Sequence, residues 1–275
     1  MTSGWNLFLA NRAAVVGAVI LLLIVGAAVF GPLLYPVEPL DMVAAPMSAP
    51  GEELPLGSDY LGRDVLAGLL HGARVTLAIG LAATLCTAVL GVAVGLIAGF
   101  YGGWIDNLLM RVTEFFQVLP PILLAMVLVA IIGPSLTTVV FVIGIVSWPP
   151  VARLARAEVL RIKAREFVVA AKAVGASNAR LILRVVLPNA LSPLIVITAL
   201  TVGVAILFES GLSFIGMGDP DVITWGYMIG ASRDRMFDTW WAVMFPGIAI
   251  FLTVLSLSLV GDGLNDALNP RLRGR

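Results

Sequence analysis

Long uncharged apolar stretches alternate with short polar segments along the chain. The first stretch runs from Ala13 to Phe30, which is longer than the roughly 7–15 residues of a signal-peptide core. We therefore favour a retained first transmembrane span over a cleaved signal peptide. The other apolar stretches cover residues 75–100, 115–152, 190–208 and a final segment that ends at Gly261. This pattern predicts an all-α polytopic membrane protein.

Proline and glycine divide these stretches further. Residues 115–152 are too long for one span and are interrupted by Gly133-Pro134-Ser135, so we predict six transmembrane helices in total. Pro120-Pro121 predicts a kink in the third span, which either lines a cavity or is a packing bend. Gly91, Gly95 and Gly99 lie four residues apart in the second span. They predict a small-residue face for another helix, unless glycine is simply tolerated there.

The distribution of charge predicts an orientation. Residues 153–184 carry many basic side chains, opposed only by Glu158 and Glu166. By the positive-inside rule this segment is cytoplasmic. The basic side chains are Arg153, Arg156, Arg161, Lys163, Arg165, Lys172, Arg180 and Arg184. Anionic lipid is one possible partner of this cluster, and a protein partner is the favoured one.

Counting spans from that segment gives the predicted organisation of the chain. Residues 1–34 form a cytoplasmic N-terminus and the first transmembrane helix, and 35–74 form an acidic extracytoplasmic loop. Residues 75–262 form a core of five transmembrane helices, with a cytoplasmic loop at about 153–189 and an outer loop at about 211–238. Residues 263–275 are a cytoplasmic tail. Both termini are therefore expected in the cytoplasm.

Composition excludes several functions. The chain is 60% hydrophobic and 12% charged, whereas soluble domains carry about 25% charged residues. A formal net charge of zero gives no case for nucleic-acid binding. One Cys, Cys86, and one His make a dedicated metal site improbable, so no metal site is predicted. No phosphate-binding loop with a Gly-Lys-Ser or Gly-Lys-Thr end and no nucleophile–base arrangement is visible, so no catalytic residues are assigned.

A polar-faced island lies between the fourth and fifth spans. Its apolar positions, such as Val168 and Ala171, recur at helical spacing from Glu166 onward. Gly175 is suited to end that helix in a left-handed turn, and Ser177 is suited to cap a second helix, which Pro188 is expected to stop. Two short amphipathic helices joined by a sharp bend are predicted, with a surface suited to a soluble partner.

This island resembles the EAA loop of ATP-binding-cassette importer permeases. The loop pattern is Glu-Ala-Ala, three residues, Gly, nine residues, then Ile-x-Leu-Pro. Here Val169-Ala170-Ala171, Gly175 and Val185-Val186-Leu187-Pro188 stand in register, with Val169 in place of the Glu and Val185 in place of the Ile. The segments 56–65, 212–228 and 261–272 resemble blocks of one subfamily, the second permease of dipeptide, oligopeptide and nickel importers.

The resemblance implies a type I importer permease fold in a bacterial cell membrane. It implies a heterodimer with a second permease, two ATPase domains that use ATP and magnesium, and an extracytoplasmic binding protein. No cofactor is expected in this chain itself, which is a transport subunit rather than an enzyme. The implied ATPase-coupling residues are Arg165, Glu166, Val169, Ala170, Ala171, Lys172, Gly175, Ala176, Ser177, Leu187 and Pro188.

The substrate is the least determined part. Within the resemblance, peptides are favoured over nickel or a nickel chelate. A secondary transporter is a less favoured alternative, because it would predict inverted repeats or ion-pathway charges and neither is evident. Candidates for the substrate path or for contact with the binding protein are Glu209, Asp219, Asp221 and Trp225. Glu209 in outer interfacial water and solvated loop charges are the competing interpretations.

Overall fold

The computed structural model describes residues 4–268, and α-helices account for most of them. Extended pairing within this part of the chain is limited to two isolated bridges, Met42 with Arg63 and Ser58 with Asp64. The α-helices are α1 Gly4–Ala10, α2 Arg12–Leu34, α3 Val65–Tyr101, α4 Gly103–Val118, α5 Pro121–Ile132, α6 Leu136–Ser147, α7 Pro149–Lys163, α8 Glu166–Ala173, α9 Asn178–Arg180, α10 Leu187–Phe214, α11 Trp225–Ser232 and α12 Trp240–Leu268.

Four helical segments in the described residues are long and apolar enough to cross a membrane unbroken. They are Arg12–Leu34, Val65–Tyr101, Asn178–Phe214 and Trp240–Leu268. Two helix pairs add a bent span each, α4 with α5 at 88° and α6 with α7 at 44°. Counting each pair as one span gives six, which confirms the predicted all-α polytopic fold.

Proline produces both bends. Leu119 and Pro120 have extended backbone angles, because a residue before proline is disfavoured in the helical region. The kink predicted at Pro120-Pro121 is therefore a break in the helix. Pro149 begins α7 directly after Trp148, and its fixed φ and missing N–H suit the first turn of a helix. Beyond this bend the chain continues as a helix to Lys163, past the end of the apolar stretch at residue 152.

The helical bundle has two ends, a loop face and a basic face. The loop face carries residues 35–64 and 215–239, and the basic face carries residues 164–180. Passing along the chain, α2 and α10 run towards the loop face, whereas α3 and α12 run from the loop face to the basic face. At the basic face, Asn11 Nδ2 donates to Asp266 Oδ2 at 3.1 Å and ties the start of α2 to the end of α12.

The predicted loop 35–74 ends at Asp64 rather than at Arg74. Asp64 caps α3, since its Oδ1 accepts from Leu66 N at 2.7 Å and from Ala67 N at 3.2 Å. On the same carboxylate, Oδ2 accepts from the Tyr35 hydroxyl at 2.5 Å. This bond, together with burial and the nearby negative charge, raises the pKa of Tyr35 to about 12. The loop is folded onto the bundle, where Trp241 Nε1 donates to Ser58 O at 2.9 Å.

The small-residue face of α3 packs against α7, as predicted. A Cβ added to Gly91 would lie 2.7 Å from Val151 Cβ, and one added to Gly99 would lie 2.9 Å from Val159 Cβ. These distances are far below ordinary van der Waals contact, so the absence of side chains is what lets the two helices approach. The contact extends from the middle of the bundle to its basic face.

Candidate functional site

The basic face carries the predicted coupling segment. Helix α8 follows α7 after only Ala164 and Arg165 and ends at Ala173. Gly175, two residues further, has a φ of +86°, which is the left-handed conformation expected there. The Ser177 hydroxyl accepts from Arg180 N at 3.4 Å and caps the next helix. Both local predictions are confirmed by this geometry.

The second amphipathic helix does not stop at Pro188. It passes from α9 through a π-helical turn, Leu181–Val186, directly into α10. Proline is tolerated here because it occupies the first turn of α10. The Asn189 side chain donates to Val185 O at 2.6 Å within the same junction. The predicted short helix and the fifth span are therefore one helical unit, and the fifth span starts earlier than the predicted residue 190.

The coupling segment is anchored by a buried apolar cluster. Val168 of α8, Leu181 and Val186 of the π turn, and Val159 of α7 belong to it and are each at most 4% exposed. Phe100 at the end of α3 completes the contact. The cluster joins the coupling segment to the second, fourth and fifth spans. A displacement of α8 would therefore be transmitted to these spans through packed side chains.

Most predicted coupling residues lie on the surface of this face. Val169, in the place of the motif Glu, is 59% exposed, and Glu166 is exposed in the first turn of α8. The other exposed ones are Arg165, Ala170, Lys172, Gly175, Ser177 and Pro188, whereas Ala171, Ala176 and Leu187 are half-buried against the apolar cluster. Beside the exposed ones lie two large apolar side chains, Phe167 at 48% and Val174 at 86% exposure.

A cleft adjoins this surface. It has a volume of about 680 Å³ and is lined by Arg161, Ile162, Ala164, Arg165, Glu166, Phe167 and Asn189. An apolar surface with charged neighbours and an adjacent cleft is typical of a protein-docking site. The exposed apolar side chains of α8 thus support a protein partner at this surface.

Two charged contacts near the basic face were not predicted from sequence. Arg156 of α7 binds both carboxylate oxygens of Asp106, with Nε to Oδ1 at 2.5 Å and Nη2 to Oδ2 at 2.6 Å. Lys163, in the last turn of α7, donates to Phe100 O. The basic run 153–184 gave no signal for either contact, because the acceptors lie 50 and 63 residues earlier in the chain.

The loop face buries Glu209 rather than leaving it in interfacial water. Glu209 is 2% exposed, and its Oε1 accepts from the hydroxyls of Ser213 at 2.7 Å and Thr224 at 2.8 Å. A third hydroxyl, that of Ser210, lies 3.3 Å from Oε2. The carboxylate therefore joins the end of α10 to the N-cap of α11, and it is not accessible to a substrate in this structure.

Two other candidates for the substrate path are also engaged internally. Asp219 Oδ2 accepts from Leu136 N at 2.9 Å, at the start of α6. Trp225 is 2% exposed; its Nε1 donates to Leu69 O at 2.9 Å and its backbone N donates to Thr76 Oγ1 at 3.1 Å. Of the four candidates, Asp221 alone has an exposed side chain. The sequence placed these residues together but could not show that three of them fasten residues 215–239 of the loop face to the spans.

An apolar cavity of about 310 Å³ lies between the two bent spans and α10. Its lining residues are Phe116, Gln117, Pro121, Val146, Ser147, Pro149, Pro150, Val151, Ile197, Leu200, Thr201, Val204 and Phe208. Pro121 and Pro149 belong to the bends described above, so the bends of α4–α5 and α6–α7 shape this space. The kink predicted at Pro120-Pro121 therefore borders a cavity.

Metal coordination has no candidate among residues 4–268. No group of three or more His, Cys, Asp or Glu side chains is placed to hold an ion in this part of the chain. The buried carboxylates Asp64, Asp106 and Glu209 accept from hydroxyls, backbone N–H groups or arginine. Their arrangement is suited to fastening helices together.

Bent spans around a cavity and an exposed helix on the basic face define a membrane transport subunit of the importer permease class. Residues 91–274 match the family described as binding-protein-dependent transport system inner membrane component. Residues 2–50 match the N-terminal TM domain of oligopeptide transport permease C. The chain belongs to this family of importer permeases, and the predicted resemblance is confirmed.

Full-length relatives agree with the family assignment. The chain is 40% identical over 277 residues to the di/tripeptide transport system permease protein DppC of Pseudomonas aeruginosa, with 98% of this chain and 91% of the relative covered. It is 39% identical over 265 residues to the dipeptide transport system permease protein DppC of Alkalihalophilus pseudofirmus, with 96% and 87% covered.

A solved structure of the inward-facing MetNI methionine ABC transporter has a similar fold. The TM-score is 0.61 at 19% sequence identity, with 74% of this chain and 96% of that chain covered. This likeness bears on the fold alone, which is the type I importer permease fold. The chain is thus a multi-pass membrane protein and a permease subunit of an ATP-binding-cassette importer.

Proposed function

We propose that this chain forms half of the translocation path of an ATP-driven importer of dipeptides and oligopeptides. The relatives with peptide transport in their names match nearly the whole chain at 39–40% identity. Importers of this family work with ATPase subunits and a substrate-binding protein. For this chain we extend the proposal to a heterodimer with a second, homologous permease.

The observation that carries the coupling role is the exposed surface of α8. Phe167, Val169 and Val174 present apolar side chains to solvent beside Arg165, Glu166 and Lys172. Exposure of these apolar side chains to water is unfavourable. A protein partner that covers them adds apolar contacts and can complement the neighbouring charges. The ATPase domains, which bind ATP and magnesium, are the proposed occupants, so this chain contributes no nucleotide site and no catalysis of its own.

The proposed orientation places the basic face in the cytoplasm. Residues 153–184 contain eight basic side chains and only two acidic ones. The positive-inside rule therefore places the loop face outside the cell. The loop face would receive the binding protein. The N-terminus and the tail, of which residues 269–275 lie outside the described residues, would be cytoplasmic.

The substrate is tested by uptake in cells that lack only this chain. Labelled di- to pentapeptides and labelled nickel are supplied separately, and the partner subunits remain intact. Loss of peptide uptake that the intact gene restores is the expected result. Loss of nickel uptake alone would replace peptide by nickel or its chelate, and unchanged uptake of both would refute the proposed substrate class.

A matched control separates transport from assembly. The wild-type chain is expressed in cells in which every copy of the ATPase subunits is replaced by a form unable to hydrolyse ATP. Uptake should remain absent in that strain while the chain is still found in the membrane. Uptake that survives would indicate a secondary transporter instead.

A further inference from the structure

The ion pair between Asp106 and Arg156 joins two different spans by a two-pronged contact. The guanidinium donates to both carboxylate oxygens, at 2.5 and 2.6 Å, so the contact is a bidentate, charge-assisted pair. The Asp106 side chain is 13% exposed and that of Arg156 is 34% exposed. By contrast, the Arg111–Glu114 pair on the same helix α4 is 83% and 61% exposed and joins neighbouring turns only. Exposed pairs of the latter kind contribute little.

The backbone of Arg156 is seated against α3 while its side chain holds α4. A Cβ added to Gly95 would lie 2.9 Å from Arg156 N, and one added to Gly99 would lie 2.9 Å from Arg156 O. One turn of α7 is therefore fixed to the second span by close packing and to the third span by the ion pair. The third span cannot shift its first turn relative to α7 without opening the pair.

A second contact fixes the end of α7 at the same junction. Lys163 donates to Phe100 O and lies 5.4 Å from the centre of the Phe100 ring. Only Ala164 and Arg165 then separate α7 from the coupling helix α8. Arg156 and Lys163 therefore both belong to α7, the helix that precedes α8 directly in the chain, and their contacts tie that helix to α3 and α4.

We propose that Asp106 and Arg156 are positioning residues that transmit the displacement of α8 to the third span. The bent second half of that span, α5, contributes Pro121 to the apolar cavity between the bent spans and α10. The proposal rests on the coupling role assigned to α8 above. Its consequence is specific. Loss of the pair lowers the amount of substrate imported per ATP hydrolysed, and it leaves ATP hydrolysis by the partner subunits running.

The test measures that ratio in the complete transporter, reconstituted in liposomes with its binding protein. The variants are Asp106→Asn, Arg156→Gln, Arg156→Lys and the double change Asp106→Asn with Arg156→Gln. Glu114→Gln, on the same helix but in the exposed pair, is the matched control. The labelled peptide, or nickel if the wild type imports that instead, is the substrate probe, so an error in the assigned substrate is recognised separately.

Either single neutral variant should lower the ratio by about tenfold, which corresponds to about 1.4 kcal/mol of coupling. The ratio for Arg156→Lys should lie between those of the wild type and Arg156→Gln, because lysine keeps the positive charge but cannot bind both carboxylate oxygens through a planar guanidinium. The double variant should be no worse than the single ones, since all of them break one contact. The control should match the wild type.

Three outcomes would overturn the proposal. They are a wild-type ratio in Arg156→Gln, an equal fall of uptake and ATP hydrolysis, and additive losses in the double variant. A single variant leaves one charge of the pair without its partner and can fail to assemble for that reason. The double variant leaves no unpaired charge, so in that case its ratio of substrate imported to ATP hydrolysed is the deciding measurement. A wild-type ratio there overturns the proposal, and a reduced ratio supports it.

Discussion

Replacing Gly95 by alanine tests how closely α3 and α7 approach. Gly95 lies within the long helix α3, opposite Ala152 and Ala155. A Cβ at this position would lie 2.4 Å from Ala152 O and 2.5 Å from Ala155 Cβ. A backbone carbonyl has no alternative rotamer, so the added methyl group can be accommodated only if the two helices move apart.

The expected cost follows from two opposing effects. Overpacking of a close contact costs about 1–3 kcal/mol, and this case belongs at the upper end because backbone must move. Alanine returns about 1 kcal/mol through its better helix propensity. The net loss is therefore about 2 kcal/mol, which lowers the melting temperature by about 4–8 °C for a protein of this size.

The matched control is Gly26→Ala in α2, where the added Cβ would meet nothing within 4 Å. The same chemical change should there raise the melting temperature by about 2–4 °C, because only the propensity gain applies. The assay is thermal denaturation of the assembled complex in detergent, followed by loss of the monodisperse peak in gel filtration. A Gly95→Ala complex that melts at or above the wild-type temperature would refute the close packing of α3 on α7.

Three further predictions concern the left-handed turn at Gly175, the hydrogen bonds of Glu209 and the hydroxyl of Tyr35. Gly175→Val should lower uptake while ATP hydrolysis persists, because a β-branched residue is strained at φ +86°; Gly175→Asn, which tolerates that conformation, should retain uptake, and equal uptake by both variants would contradict the requirement for a left-handed turn. Glu209→Ala should increase protease cleavage within residues 215–239, since Ser213 and Thr224 lose their acceptor; Glu209→Gln should show a smaller increase, and unchanged cleavage in the alanine variant would argue against its fastening role. The raised pKa of Tyr35 means that the neutral hydroxyl is favoured by folding, so its stabilising effect is complete below pH 10 and is lost as the pH rises from about 10 to about 12. Tyr35→Phe should lack this pH-dependent loss in thermal denaturation, and a wild-type curve that is flat over the same range would disprove the bond to Asp64.

Local chemistry predicted those features that depend on neighbouring residues in the chain. Pro120-Pro121 predicted a kink in the third span, Gly175 the left-handed turn, and Ser177 the helix cap, because each acts on the backbone next to it. The cap at Asp64 was also readable, since Asp directly before an apolar helical run is a strong start signal. His71 and Arg74 masked that signal by placing polar side chains in the first turns of α3.

Contacts between distant segments could not be predicted from the pattern. Glu209 was a candidate for the substrate path, with outer interfacial water as the competing interpretation. Its burial could not be predicted, because it depends on Thr224 in the next segment of the chain. The pairing of Asp106 with Arg156 likewise requires the bundle to bring α4 and α7 together. The prediction that Pro188 stops a helix was wrong, because Pro188 lies where the π-helical turn passes into α10 and there occupies the first turn of the α-helical part.

The unbroken helical segment from Asn178 to Phe214 has a mechanical consequence. At 1.5 Å per residue its 37 residues extend about 55 Å, whereas the hydrocarbon core is only about 30 Å thick. One end carries the surface beside α8, and the other carries Glu209 and the segment that it fastens. If the segment pivots as a rigid rod about one end, a tilt of about 5° displaces the other end by about 5 Å, close to one helical turn. A rotation small enough to preserve the packing around the pivot would therefore change the spacing at the opposite membrane surface by the width of a side chain.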